Sequence, residues 1–251
     1  CLLSISNSNF YEPYEIIVVD NFSNDKTADV CKKYDVKFFK KGPERSAQRN
    51  YGILKANYEI IIFLDSDMEV SENLLISVKK KIIENNFDAL YVKEIIKASG
   101  YYTKVRNFER ELYEQTPIDC VRAFKKELFI ELGMFDTSFS GPEDWDFNNK
   151  VILSKSNIGF VSEPIYHNEQ DGFFETIKKK KYYSRDMKIY KDKWRDSNNL
   201  ISFQLGFLNR FLLIFFYKKN FYRVINRPDL FISMYIAKII IGAFYLMIYK
   251  N

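Results

Sequence analysis

Two carboxylates, Asp65 and Asp67, stand two residues apart directly after Glu59–Leu64 (EIIIFL), the strongest strand pattern in the chain. On an extended backbone, side chains two apart point to the same side. A pair at a strand end can therefore face one hard cation such as Mg²⁺ or Mn²⁺, which in turn neutralises a diphosphate. Two turn-forming aspartates leading into a helix capped at Ser71 would give the same letters. Further on, Gly141-Pro142 precedes Glu143, Asp144 and Asp146, three acids in four residues around Trp145. Acids at a helix start complement the positive end of its dipole, and one held there can also take a proton from a hydroxyl. His167 is the only histidine. It ends an extended piece, and its neutral imidazole suits Mn²⁺, although a lone histidine is more often a satisfied structural residue. Arg45, Arg49 and Asn50 sit in GPERSAQRNYG, a loop-to-helix passage whose donors suit phosphate or a nucleobase, or else the exposed face of an amphipathic helix.

These residues need elements to hold them. Glu15–Asp20 (EIIVVD) is a β-branched run ending in a carboxylate, the pattern of a strand buried on both faces of a parallel sheet. Turn and cap residues in 21–27 then open a helix to about Lys33. A short strand near Val36–Phe39 and a helix over about Glu44–Ala56 follow. After the strand at Glu59–Leu64 comes a helix from Ser71 to about Asn85, then a strand at Ala89–Val92. This alternation predicts a doubly wound, mostly parallel α/β sheet, with ligands off the carboxyl ends of its strands. Beyond it the pattern gives a helix from Tyr101 to Pro117, a strand at Cys120–Phe124, helices over Lys126–Leu132 and from Glu143 to about Ser154, and two extended pieces, Ile158–Val161 and Ile165–His167. The opening residues CLLSI read as the inside of a helix.

Composition narrows the classes of function. A chain of 251 residues can bury a sizeable core, and a net charge of +5 is too small for a protein that coats nucleic acid. Three scattered cysteines, Cys1, Cys31 and Cys120, exclude a disulfide scaffold and a CxxC pair and fit a reducing compartment. The aromatic share of 17% is high. After Asp171 the character changes. Residues 178–195 hold nine Lys/Arg and two Asp, a local excess above that of the whole chain, interleaved with Tyr182, Tyr183, Tyr190 and Trp194. Two apolar segments follow, Leu200–Tyr217 and Leu230–Tyr249, the second long enough as a helix to cross a hydrocarbon core. Basic and aromatic residues beside apolar helices suit a membrane interface. A spanning hairpin would put basic flanks on both faces, so the expectation is two interfacial segments, or one interfacial and one inserted. Packing of both on the preceding domain is the plainer alternative.

Six segments in order carry a resemblance: EIIVVDNFSNDKT (15–27), GPERSAQRNYGI (42–53), IIIFLDSDMEV (60–70), AFKKELFIELGMFD (123–136), GPEDWDF (141–147) and IYHNE (165–169). Together they resemble family 2 glycosyltransferases, inverting nucleotide-sugar enzymes of the GT-A fold. The resemblance covers about the first two-thirds of the chain. It implies a GT-A domain over residues 1–170 and a helical, membrane-associated extension over 171–251. It further implies that Asp20 contacts the base or ribose and that Arg49, with Arg45 nearby, helps hold the nucleotide. Asp67 would be the direct ligand of Mn²⁺ or Mg²⁺, with Asp65 nearer the ribose, and His167 would complete the metal or diphosphate site. Asp144 would be the catalytic base, beside Glu143. Family members begin with a strand of the type VSVIIPTYN, whereas here the helix that follows it comes first. The expectation is therefore a sheet without that central strand, poorly stable and poorly active.

What the resemblance implies about function is a metal-dependent transfer of a sugar from a UDP- or GDP-sugar to an acceptor hydroxyl, on a glycan or lipid-linked acceptor at the cytoplasmic face of a membrane, with no nucleic acid involved. Two other classes compete. Phosphotransferases of the haloacid dehalogenase type also begin with an apolar strand ending in DxD, but their motif continues with Gly-Thr near the amino terminus, whereas Met68-Glu69 follow here. A truncated or degenerate domain that binds nucleotide or a partner at a membrane without turnover is the non-enzymatic alternative.

Overall fold

The computed structural model describes residues 1–169, 186–218 and 220–249. The strongly basic run 178–185 lies outside them. The chain divides into two compact units, one of residues 1–93 and 120–166, the other of residues 94–119 and 167–251. The second unit thus takes in residues 94–119, which the sequence pattern groups with the catalytic part.

In the first unit the predicted elements occur in the predicted order, with one short strand, Met68–Val70, added between them. They are α1 (Leu2–Ser6), β1 (Ile17–Asp20), α2 (Thr27–Cys31), β2 (Lys37–Lys40), α3 (Arg45–Lys55), β3 (Ile60–Ile62), β4 (Met68–Val70), α4 (Leu74–Ile83) and β5 (Ala89–Ile96), whose last residues enter the second unit. After α5 (Tyr101–Tyr113) of the second unit come β6 (Val121–Lys125), α6 (Lys126–Glu131), α7 (Glu143–Leu153) and β7 (Ile158–His167). The two extended pieces predicted over 158–167 are one strand.

The sheet departs from the mostly parallel expectation. β1 and β2 pair in parallel as a two-stranded sheet of their own, while a five-stranded sheet runs β3-β6-β5-β7-β4. There β6 lies antiparallel to both β3 and β5. Apolar runs show that a strand is buried, not which way it runs, so the mixed direction was invisible to pattern. The five-stranded sheet separates two cores. Ile61, Ala89, Tyr91, Val121 and Phe124 belong to one, together with Phe129, Phe135 and Phe147. Leu90, Val92 and Ala123 belong to the other, with Met68, Leu74, Val78 and Ile82. Alternation along β5 assigns neighbours to opposite cores, the period-2 rule acting on a strand covered on both sides. The first core accounts for part of the aromatic excess. Phe124 and Phe129 stack at 5.2 Å between ring centres, and Phe147 stands edge-on to both at 5.1 and 5.0 Å.

The second unit contains α5 and the C-terminal helices α8 (Met187–Lys193), α9 (Asn198–Leu205), α10 (Phe207–Phe211), α11 (Asn220–Asn226) and α12 (Pro228–Tyr249), with a 3₁₀ turn at Leu213–Phe216. Its core joins Val105, Phe108 and Leu112 of α5 to Ile214, Phe215, Leu230 and Met234. Among the described residues no helix is long and apolar enough to cross a membrane. Lys238 stands near the middle of α12. Its ammonium bonds the Tyr113 hydroxyl at 2.7 Å, lies 3.3 Å from Glu109 and stands over the Phe211 ring, so α12 carries a paired charge in its middle.

Phe129 is fully buried at the centre of the aromatic cluster. Phe129→Ala is expected to cost about 3–5 kcal/mol, read as a lower urea midpoint with an unchanged slope.

Candidate active site

The site in the first unit starts from how α3 is anchored. Gln48 donates its side-chain amide to the Val19 carbonyl at 2.8 Å. Gly52 lets the helix lie close to β1, because a Cβ there would meet Val19 Cγ2 at 3.0 Å. Asn50 exchanges two hydrogen bonds with the backbone of Phe135, donating to its carbonyl at 2.9 Å and accepting its N–H at 3.1 Å. That amide fixes the Phe135 ring beside its sequence neighbour Arg49. The Arg49 guanidinium carbon lies 4.9 Å from the Phe63 ring centre and 5.6 Å from that of Phe135, so two rings form its floor.

Over this floor Arg49 gathers the carboxylates that the sequence singled out. Its Nη2 donates to Asp65 Oδ1 at 2.7 Å and its Nη1 to Asp144 Oδ1 at 2.6 Å, with Glu143 Oε1 at 3.4 Å. Arg45 reaches Glu143 Oε1 at 2.9 Å. Residues nearly eighty positions apart thus meet on one side chain that is itself only 10% exposed.

The acids at the start of α7 divide their roles. Glu143 is fully buried, accepts the Gly141 N–H and is paired with Arg45. Gly141 has φ 107°, a conformation that glycine adopts without strain. Asp146 is also fully buried and pairs with Lys150 at 3.2 Å, while the Lys150 ammonium also donates to the Met134 carbonyl at 2.7 Å. Asp144 alone of the three keeps an accessible carboxylate, 21% exposed. The cluster of three acids is therefore two fully buried, ion-paired carboxylates and one that is partly exposed.

Arg122 was missed. It lies in the apolar run CVRAF, where a strand reading gave it no role. The β5–β6 register runs Leu90↔Ala123 and then Tyr91↔Val121, so Arg122 is the extra residue of a β-bulge. A bulge re-aims a side chain locally. Arg122 is turned over Phe63, 5.0 Å from the ring centre, with Nη1 3.9 Å from Asp65 Oδ2. A lone arginine inside an apolar strand was the available signal.

Electrostatics separate the carboxylates. Burial pushes Asp65 up, but the guanidiniums of Arg49 and Arg122 outweigh it and hold the group below the ordinary carboxylate range. Burial pushes Glu143 up, the Asp144 charge adds to this, and Arg45 and Arg49 do not cancel it. Burial works against the charge on Arg49, yet Asp144 and Asp65 hold it protonated more firmly than in water.

Asp65 and Asp67 do not lie on an extended chain. The Met68 N–H bonds the Asp65 carbonyl at 3.0 Å and closes a turn, so the extended-chain rule that would set both side chains on one side does not apply here. Asp65 turns to the arginines, and Asp67 stands exposed at the turn. Among the described residues no three His, Cys, Asp or Glu side chains form a metal-holding cluster. Mg²⁺ and Mn²⁺ are often held by one or two carboxylates together with substrate phosphates, and an exposed Asp67 fits a cation of that kind. Asp20 ends β1, buried, with Oδ2 accepting the Ser23 N–H at 2.9 Å. His167 falls in the second unit, where Nδ1 lies 3.9 Å from Glu169 Oε1 and Glu169 is paired with Arg106.

The sequence profile described as glycosyl transferase family 2 matches residues 1–135. The chain belongs to glycosyl transferase family 2. The match ends before Glu143 and Asp144, so their place in the site rests on the geometry above. Among curated relatives, the glycosyltransferase GlyA of Streptococcus pneumoniae is 26% identical over 195 residues, covering 66% of this chain and 27% of that protein. The minor teichoic acid biosynthesis protein GgaA of Bacillus subtilis is 26% identical over 242 residues, covering 85% of this chain and 54% of its own length. The chain thus spans about a quarter to about half of these relatives. The crystal structure of S. aureus TarS 1–349 in complex with UDP-GlcNAc superposes with a TM-score of 0.60 at 20% identity, over 93% of this chain and 74% of that one. That likeness establishes the GT-A-like α/β fold.

The opposite shifts at Asp65 and Glu143 predict opposite effects on stability. Asp65, held low, stabilises the fold above the ordinary carboxylate range, and that contribution is lost as pH falls through its folded value. Glu143, held high, costs stability as pH rises through its folded value. At pH 7, Asp65→Asn is expected to lower the melting temperature by roughly 2–4 °C, a deficit that closes as the buffer is taken below pH 4. Glu143→Gln is expected to leave it unchanged or raised. Calorimetric scans of both variants across pH read the two signs.

Proposed function

We propose that this chain is the catalytic part of an inverting glycosyltransferase that moves a sugar from a nucleotide-sugar donor to an acceptor hydroxyl. The observation that carries the reading is the meeting of Asp65 and Asp144 on one guanidinium, at 2.7 and 2.6 Å, in a chain whose residues 1–135 match family 2. One carboxylate on the strand-end side and one accessible base on the other are what a single displacement requires.

In this reading Asp144 takes the proton of the acceptor hydroxyl as its oxygen attacks the anomeric carbon. The bond to the nucleoside diphosphate breaks on the opposite side, its electron pair leaving on the phosphate oxygen. One displacement inverts the configuration and needs no carboxylate nucleophile. A divalent cation, Mn²⁺ or Mg²⁺, held by Asp67 with the phosphates would neutralise the charge of the leaving group. Asp20 and Asp65 lie at the ends of β1 and β3, where such sheets bind nucleotide, and Arg45 stands at the start of α3 beside them.

UDP-sugar is the donor favoured over GDP-sugar, because a structural neighbour is described in complex with UDP-GlcNAc and with UDP. A cell-envelope glycan hydroxyl is the proposed acceptor, lipid-linked or polymeric, since relatives are named as teichoic acid biosynthesis proteins or as a poly(ribitol-phosphate) beta-N-acetylglucosaminyltransferase. Peripheral attachment at the cytoplasmic face of a membrane is supported by residues 197–228, which hold five Lys/Arg and no Asp or Glu. In that stretch Phe207, Leu208, Phe216 and Tyr222 are exposed.

Calorimetric titration of UDP and GDP, each with and without Mn²⁺, tests the donor. Metal-dependent binding of UDP is expected, and Asp67→Ala should abolish the metal-dependent part. Asp144→Asn should keep nucleotide affinity and lose transfer by about 10²–10⁴-fold. Full transfer in that variant would remove Asp144 from the mechanism.

A further inference from the structure

We propose that Arg49 is a positioning residue that ties the donor side of the site to its base, in place of the nucleotide-holding role that the family resemblance implies. The inference rests on the transferase reading above and concerns how that site is kept in register.

Consider what is left of the side chain for a ligand. Nη1 is engaged by Asp144 at 2.6 Å and Glu143 at 3.4 Å, and Nη2 by Asp65 at 2.7 Å. The guanidinium rests over Phe63 and Phe135, and its side chain is only 10% exposed. Planar charge set over rings and spent on three carboxylates is held in orientation as well as in place. To claim the hydrogens that face these carboxylates, a phosphate would have to displace a short, largely buried ion pair.

The supports of Arg49 come from the same elements that carry the reacting groups. Asn50, one residue on, grips the Phe135 backbone through both amide atoms. Phe63 lies two residues before Asp65 and supports both Arg49 and Arg122. Arg49 takes Oδ1 of Asp65 while Arg122 faces Oδ2, so that carboxylate is oriented from both sides. On the other arm, Asp144 receives the shortest of the Arg49 contacts. Asp65 and Asp144 are thus spaced by the width of one rigid group. A displacement of about 1 Å between catalytic groups can cost about 10²-fold in rate, so the bridge governs turnover more than affinity.

Lysine keeps the charge but has one nitrogen and cannot span two carboxylates in a fork. The test is therefore Arg49→Ala and Arg49→Lys, compared with the wild-type chain for UDP affinity by calorimetry and for transfer by release of UDP from its sugar donor. Both variants are expected to bind UDP within about threefold of wild type. Both should lose about 10²-fold in kcat, with lysine recovering little of it. Added methylguanidinium should restore part of the rate in Arg49→Ala, while methylammonium should not. A large loss of UDP affinity at unchanged kcat would make Arg49 a nucleotide ligand and overturn the proposal, as would full activity of Arg49→Lys. If Arg49→Ala does not fold, the lysine variant carries the test alone. A wild-type chain that binds UDP but transfers nothing would overturn the transferase reading itself, and the bridge with it. Active wild type with unaffected variants would overturn only the bridge.

Discussion

One guanidinium organises the first unit of this chain. Arg49 meets Asp65 from the end of β3 and Glu143 and Asp144 from the start of α7, three carboxylates that lie far apart in sequence. Like charges brought together with little solvent would push each other towards protonation. Arg49, aided by Arg45 and Arg122, permits the gathering. The three respond differently because their surroundings differ. Asp65 lies between two guanidiniums and is held low, whereas Glu143 has no exposed surface and is held high despite its partners. Asp144 keeps a fifth of its side chain accessible, which is why the base role is proposed for it and not for Glu143.

The scaffold serves that meeting. Gly52 and Gln48 bring α3 onto β1, Asn50 locks the Phe135 backbone, and the aromatic core under Phe63 and Phe135 supplies an apolar floor. Phe135 belongs both to the floor of the site and to the cluster around Phe124, Phe129 and Phe147. Loss of core packing would therefore reach the site directly. Glu44, with φ 74°, sits immediately before α3 and accepts the Ser140 hydroxyl, so the entry to α3 is tied to the segment that leads into α7. A non-glycine residue in that backbone region is strained, and such strain persists where surrounding contacts over-determine it.

Much of this was legible in the letters, for identifiable reasons. β1 and β3 read clearly because β-branched runs ending in aspartate have few other meanings, and α3 and α7 read clearly from their punctuation by Gly-Pro. Asp65, Glu143, Asp144 and Arg49 were each visible as candidates, but their convergence on one another was not, since it depends on how β3, α3 and α7 pack. Arg122 was hidden because a bulge leaves no mark in an alternation pattern. The antiparallel run of β6 was hidden because burial on both faces looks the same in either direction. β4, three residues long, was below what periodicity resolves. Lys238 made Leu230–Tyr249 look like an apolar span with one blemish, whereas its pairing with Glu109 and Tyr113 makes it a fixed point of the second unit.

If the bridge is what keeps donor carboxylate and base in register, then Arg49 and Asp144 act as one unit and their losses cannot be independent. A double-mutant cycle in transfer rate measures this most directly, using wild type, Arg49→Met, Asp144→Asn and the double variant. The account predicts that the double variant is no slower than Asp144→Asn alone, within about threefold, because removing the base leaves the bridge nothing to position. Losses that multiply, as they do for residues acting separately, would contradict it.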